Sequence, residues 1–323
     1  MKKRLMATLL AAAAAFTMTA CSSGNGADYV VGICQYAPHP SLDQATEGFQ
    51  AKLTELVEAE GKTIEFQLQN ANGEASTCGT IINGFVSSDV DLILANATPP
   101  LQTAMSSTNT IPILGTSISS YSVALDEPDM GESTGKNVSG TSDLAPLDQQ
   151  AAVIKEWFPD AKKVGALFTS SEPNSRYQVD VITPHLEALG YTVTEYSFSD
   201  SNDMATVATK ACQDSDVIYV PTDNTVADNT GILGNIALPA GVPVISGEES
   251  TCKACGVASL SISYEELGQV TGEMAFEILV NGADISTMPI QYAPTMTKKY
   301  NPKVVEQLNL SIPDGYVALE IEE

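Results

Sequence analysis

Asp91-Leu92-Ile93-Leu94, followed by Ile111-Pro112-Ile113-Leu114, returns later in the chain as Asp216-Val217-Ile218-Tyr219, followed by Val242-Pro243-Val244-Ile245. Each quartet is a short apolar run bounded by polar and turn-forming residues, the pattern of a strand covered on both faces of a parallel sheet. A third pair, Val31-Gly32 and Val164-Gly165, keeps the same order at a spacing of roughly 130 residues. A period of that length is one lobe present twice.

Between the repeated strands the apolar spacing changes to that of helices. Val30 to Cys34 reads as a strand, after which Leu42, Ala45, Phe49, Leu53 and Leu56 recur at helical intervals. Ser41 with Gln44 reads as a capping box opening that helix, and Ser175 with Gln178 repeats it in the second half. Ile64 to Leu68 is the next strand, a helix follows through Ile81, Ile82 and Phe85, and Leu92 to Ala95 is a short buried strand. The βαβ rhythm predicts an α/β protein of two Rossmann-like lobes with parallel sheets.

Ligands of such sheets bind where strand carboxyl ends lead into helix N-termini. If the lobes face one another, both sets of loops line one cleft. The first lobe offers Gln35, Tyr36 and His39, then Asn96 and Thr98, then Ser117; the second offers Ser171, Glu172, Asn174 and Ser175, then Thr222, Asp223 and Asn224, then Glu248. Thr141, Ser142 and Asp143 fall between the lobes. Hydroxyls, amides and a few carboxylates suit reversible binding, although turn-forming preference alone accounts for many such residues.

The N-terminus is a processing signal. Lys2, Lys3 and Arg4 precede an apolar run from Leu5 to Phe16, too short for the roughly 20 residues of a membrane span. Met18-Thr19-Ala20-Cys21 resembles a bacterial lipobox, with Met18 where leucine is usual, and Ser22 to Gly26 reads as a tether. Lipidation at Cys21 would hold the protein outside the cytoplasmic membrane by acyl chains alone. Setting aside Lys2, Lys3 and Arg4 leaves 12 basic residues against 40 acidic ones, a net charge of −28. That field repels nucleic acid and anionic headgroups.

Five cysteines remain beyond Cys21, an odd number. Cys252-Lys253-Ala254-Cys255 has redox or zinc spacing, but no second pair or nearby histidine completes a metal site. Cys34 and Cys78 are the candidates for a disulfide. Two histidines, no Walker loop and no G-x-S-x-G offer little for catalysis, so neither an enzyme nor a cofactor is expected.

His39-Pro40-Ser41-Leu42-Asp43, Gly140-Thr141-Ser142-Asp143, Ser171-Glu172-Pro173-Asn174-Ser175 and Val220-Pro221-Thr222-Asp223-Asn224 resemble the ABC-transporter substrate-binding family that includes the tryptophan- and tyrosine-binding lipoproteins. Ile262 to Gly268 is similar to its return segment into the first lobe. The resemblance implies a type I periplasmic-binding-protein fold, a free and often aromatic amino acid as ligand, and a partner permease with ATPase subunits. On this reading residues 1–20 are the signal peptide and 21–27 the tether. Residues 28–143 with about 263–290 form lobe one, and 144–262 with about 291–323 form lobe two. The protein is expected to act as a monomer that pivots near Val138 to Asp143 and Ser261 to Tyr264.

An amino acid presents a carboxylate, an ammonium and a side chain. Thr98 and nearby backbone N–H groups at a helix N-terminus are assigned to the carboxylate, with Ser117 as a further donor. Asp223 is the first choice for the ammonium and Glu248 the next. Tyr36 and Tyr264 either stack on an aromatic ligand or pack in the core, and His39 either meets ligand or fixes its loop. Trp157 and Phe158 are assigned to core, and His185 to the surface. Alternatives left open are a branched-chain amino acid, a sugar or a nucleoside as ligand, and a sensing rather than transporting role.

Overall fold

The structure, a computed structural model, describes residues 26–321. The signal segment and Cys21 therefore lie outside the described residues. The first lobe begins β1 (Tyr29–Gln35), α1 (Pro40–Ala59), β2 (Ile64–Asn70), α2 (Ala75–Ser87), β3 (Leu92–Asn96), α3 (Thr98–Ser107), β4 (Ile113–Ile118), α4 (Tyr121–Ala124) and β5 (Val138–Ser142). The chain then crosses into the second lobe. There it forms α5 (Leu147–Trp157), β6 (Lys163–Thr169), α6 (Pro173–Ala188), β7 (Thr192–Phe198), α7 (Ser201–Asp214), β8 (Val217–Val220), α8 (Asn224–Asp228), α9 (Thr230–Ala240), β9 (Val244–Ser246), α10 (Glu249–Cys255) and β10 (Ala258–Ile262). Helix α11 (Tyr264–Leu279) and β11 (Gln291–Tyr292) return to the first lobe; β12 (Met296–Tyr300), α12 (Pro302–Gln307) and β13 (Val317–Ala318) finish on the second.

The repeat read from the sequence is a repeat of sheet order. In the first sheet the strands lie β2-β1-β3-β4-β5, with β11 beyond β5; in the second they lie β7-β6-β8-β9-β10, with β12 and β13 beyond β10. Neighbours are parallel except β10 with β12. In both lobes the first strand sits between the second and third, so the connections diverge there and a crevice opens at the carboxyl ends. The strands of the opening quartets are buried on both faces, as continuous apolar runs require.

Each sheet is covered by helices on two sides. In lobe one, Phe49, Leu53 and Val57 of α1 join Met274 and Ala275 of α11 on one face, while Ile82 and Phe85 of α2 and Leu101 of α3 cover the other. Full burial of such a side chain contributes about 1.5–3 kcal/mol. Helices α1 and α11 approach closely because glycines face each other's backbone: a Cβ on Gly268 would stand 2.1 Å from the Ala45 carbonyl oxygen, and one on Gly48 2.3 Å from that of Glu265. Trp157 is buried against Phe158, Tyr300 and Tyr316 in lobe two, and His185 is exposed.

Three details differ from the sequence expectations. Strand β11 pairs with β5, so the last crossing lies after Tyr292 rather than near residue 290. The two capping boxes do not form. Pro40 and Pro173 already open α1 and α6, which moves Ser41 and Ser175 inside the first turn and makes His39 and Glu172 the cap residues. Cys34, Cys78, Cys212, Cys252 and Cys255 are free buried thiols; Cys78 Sγ donates to the Glu74 carbonyl, and the neighbouring Cys34 and Cys78 perturb each other, the Cys34 thiol pushed up and the Cys78 thiol down.

Candidate functional site

The carboxyl ends of both sheets meet across one cleft, and hydrogen bonds span it. Ser41 Oγ donates to Glu248 Oε2 at 2.6 Å, His39 Nε2 lies 3.1 Å from Asn224 Oδ1, and Gln178 Nε2 donates to Ser119 Oγ at 3.2 Å. Between them is an inner cavity of about 10 Å³, lined by His39, Leu42, Ser117, Ser119, Asp143, Asn174, Thr222, Asp223, Asn224, Ala227, Glu248 and Tyr264. An outer cavity of about 400 Å³ shares Asn224 with it and opens between Tyr36, Ala37 and Pro99 of one lobe and Ser171, Pro173 and Thr225 of the other.

Among the described residues, four buried side chains in the inner cavity carry a polar atom without a partner: His39 Nδ1, Ser117 Oγ, Asp143 Oδ1 and Asn174 Oδ1. The outer cavity has none, and neither does a cavity of about 590 Å³ beside the hinge, lined by Tyr121, Tyr177 and Tyr292. A buried polar atom left unpaired costs about 1–3 kcal/mol, so their concentration in one place marks it for a ligand. Backbone strain lies at the first-lobe edge of the cleft as well. Ser117, with φ of 58°, and Ala97, with φ of 96°, hold conformations that non-glycine residues avoid, both at the carboxyl ends of first-lobe strands.

The acids separate into two kinds. Asp223 was expected to meet an ammonium, but its Oδ2 accepts from Thr169 N at 2.7 Å and its Oδ1 from Val226 N at 2.9 Å, so it caps α8 and ties it to β6. Glu248 is similarly committed: Oε1 takes Thr251 N at 2.5 Å, and Oε2 takes Ser250 N at 2.7 Å besides Ser41. Glu172, fully buried, accepts from Asn174, from the backbone and side chain of Asn224, and from both groups of Thr225. Asp143 alone keeps an oxygen free, its Oδ2 taking the Tyr264 hydroxyl at 3.0 Å. Burial pushes the Asp143 carboxyl up to about 6, and burial with the neighbouring Glu172 charge pushes Asp223 up to about 7.

Other expected contacts lie elsewhere. Gln35 is spent on Ala37, Asp43 and Thr46, and Asn96 on Leu42 and Thr46, so both brace the start of α1. Thr141 bonds Thr116 and Thr271 inside the lobe, and Ser142 bonds the Ser119 carbonyl. Thr98 is buried outside both cavities, and Pro99 and Pro100 follow it, so the start of α3 lacks two of the N–H groups a carboxylate would need. Ser171 lines the outer cavity and Ser175 is buried behind it. Sequence reasoning missed Leu42, Ser119, Gln178 and Ala227. Gln178 carried a signal, but one read as half of a capping box; its amide instead accepts from Thr222 N and donates to Ser119.

The sequence matches the ABC transporter substrate binding protein family over residues 30–321. The chain belongs to that family. A tyrosine-binding protein of Clostridioides difficile is 32% identical over 307 residues, covering 89% of this chain and 87% of the relative. An ABC domain from Streptococcus pneumoniae in complex with L-Trp superposes with a TM-score of 0.84 at 29% identity, covering 90% of this chain and 99% of that one. The ligand-free, open structure of a substrate binding protein with adhesive properties from Clostridium difficile covers 91% and 100% at 34% identity, yet its TM-score is 0.68. The closer fit to the complex, at lower identity, agrees with the interlobe bonds: the lobes stand closed. The fold is that of a type I periplasmic binding protein, and as a substrate-binding protein of an ABC transporter the chain acts outside the cytoplasm. No helix among the described residues is long and apolar enough to cross a membrane.

Proposed function

We propose that this protein binds a free aromatic L-amino acid between its lobes and delivers it to an ABC permease and its ATPase subunit, without turning it over. The carrying observation is the inner cavity, where Asp143 keeps a free oxygen among buried polar groups and the adjoining space is large enough for a ring. The inner cavity has room for about one water-sized group, so the ligand's ammonium fills it, on Asp143, and its carboxylate meets the hydroxyls of Ser117 and Ser119 as the walls part to admit it. Its side chain extends past Asn224 toward Tyr36. Opening of the cleft admits it, and contacts to both lobes then favour closure, since only differential contact shifts such an equilibrium. The tyrosine-binding and L-Trp-bound relatives support the choice of ligand.

Calorimetry across the L-amino acids, with sugars as controls, tests this. Tryptophan, tyrosine or phenylalanine should bind first, and binding of a sugar with silence from every amino acid would overturn it. Anchoring through Cys21 rests on the basic start, the apolar run and the lipobox-like stretch. Labelled fatty acid should enter the wild-type chain and not Cys21→Ser; equal labelling removes the anchor.

A further inference from the structure

The unpaired atoms of the inner cavity are nearly all of one polarity. Asn174 Nδ2 donates to Glu172 Oε2 and to the Thr222 carbonyl, both at 3.1 Å, which leaves Oδ1 as an acceptor. Asn224 Nδ2 donates at 2.7 Å to Glu172 Oε2, which also takes Asn174 Nδ2 and the Asn224 backbone N–H, so Asn224 must present Oδ1 to His39. His39 Nε2 is therefore the donor of that pair, and the tautomer with its proton on Nε2 offers Nδ1 as a lone pair. Asp143 Oδ1 is the third acceptor, and Ser117 Oγ is the one unpaired atom able to donate.

The charges agree with the hydrogen bonds. Asp143, Asp223 and Glu248 line the cavity, Glu172 stands behind Asn174 and Asn224, and no lysine or arginine is among the lining residues. Three helices that start at the cleft begin with prolines, Pro40 in α1, Pro99 and Pro100 in α3 and Pro173 in α6, and two others, α8 and α10, have their first N–H groups taken by Asp223 and Glu248. Each proline removes an N–H from a place where a carboxylate would be held.

We infer that the site selects its ligand by the ammonium and treats the carboxylate as dispensable, so that primary aromatic amines such as tryptamine and tyramine are ligands too. This rests on the cleft being the amino-acid site proposed above. An ammonium brings three N–H donors to three acceptors; a ligand without it leaves them buried and unpaired, which discriminates strongly. Loss of the carboxylate forfeits contacts to neutral donors but relieves repulsion from the surrounding acids. Glu172 is a positioning residue, acting through Asn224 to hold the His39 tautomer.

Calorimetry on the purified full chain near neutral pH compares L-tryptophan and L-tyrosine with tryptamine, tyramine, indolepropionate and hydroxyphenylpropionate. The amines should bind within about tenfold of the parent amino acids, and the deaminated acids about a hundredfold or more weaker. Amino acids that bind while both amines stay silent overturn this inference and leave the proposed function standing; silence from amino acids and amines alike overturns both. Nitrogen NMR of the histidines, of which the chain has 2, reads the tautomer directly. A proton on Nε2 of His39 supports the relay, and a proton on Nδ1 removes His39 and Glu172 from it.

Discussion

The two lobes share a strand order but treat their cleft edges oppositely. In lobe two, carboxylates at the strand ends cap the short helices that follow: Asp223 closes α8 and Glu248 closes α10. At the matching strand ends of lobe one stand Ala97 and Ser117, both strained, and no carboxylate caps the helices that follow: α3 has no side-chain cap and α4 is closed by the Ser120 hydroxyl. At these strand ends lobe two has spent its carboxylates on its own backbone, and lobe one keeps strained backbone and, at Ser117, an unpaired hydroxyl. A duplicated fold can therefore divide the work, with one half a finished wall and the other half completed by what binds.

Asp143, at the junction, is the sharpest way to break that comparison. Asp143→Asn keeps an acceptor for Tyr264 and removes the charge, so amino-acid affinity should fall about tenfold to a hundredfold with the melting temperature preserved. Unchanged affinity would take Asp143 out of the site. Asp223→Ala should do the reverse. Losing a helix cap costs about 1 kcal/mol and leaving the buried Thr169 N–H unpaired about 1–3 more, so the melting temperature drops while folded protein still binds. Lost binding at unchanged stability would return Asp223 to the ammonium.

The pH dependence separates the same two groups from the rest. Both carboxyls are raised from an ordinary 3.8, Asp143 to about 6 and Asp223 to about 7, so the native state holds protons that the unfolded chain has released. The stability they contribute is full below about 4 and is lost as pH rises through 6 to 7. An ammonium pairs with the ionised form of Asp143, so the thermal shift given by ligand should grow across that interval and shrink on acidification. A ligand shift that is flat between the two limits would contradict it. Smaller still, Ser41→Ala removes one interlobe bond and should enlarge the ligand-free radius of gyration in solution scattering. An unaltered profile would leave that bond without a part in closure. Smallest is Arg176→Ala. Its partners Glu195 and Asp180 are on the surface, and such pairs contribute about 0–1 kcal/mol, so stability and affinity should both stay near wild type.

The scaffold was more legible than the site, for a physical reason. Val217 to Val220 and Leu92 to Asn96 announce themselves locally, because a strand buried on both faces must be apolar along its length. The role of a cleft carboxylate is decided by groups far away in the chain. Asp143 keeps a free oxygen because Tyr264, 121 residues on, takes only the other one, and Glu172 is spent on residues 52 and 53 positions away. Asp223 is the exception that was readable: its partner Val226 lies three residues on, the spacing of an ordinary helix cap. Pro99 and Pro100 were equally plain, and the N–H groups they lack argue against a carboxylate beside Thr98.

The bond from Tyr264 to Asp143 joins the first residue of α11 to the residue just past β5, and so ties two of the three strands of chain that pass between the lobes. In the proposed binding mode, the group that would meet the guest's charge is thus part of the axle on which the halves would turn. Arrival of that charge would then be registered at the pivot itself, with no intervening lever, and a permease that senses only shape would still be told whether the cargo carried a positive end.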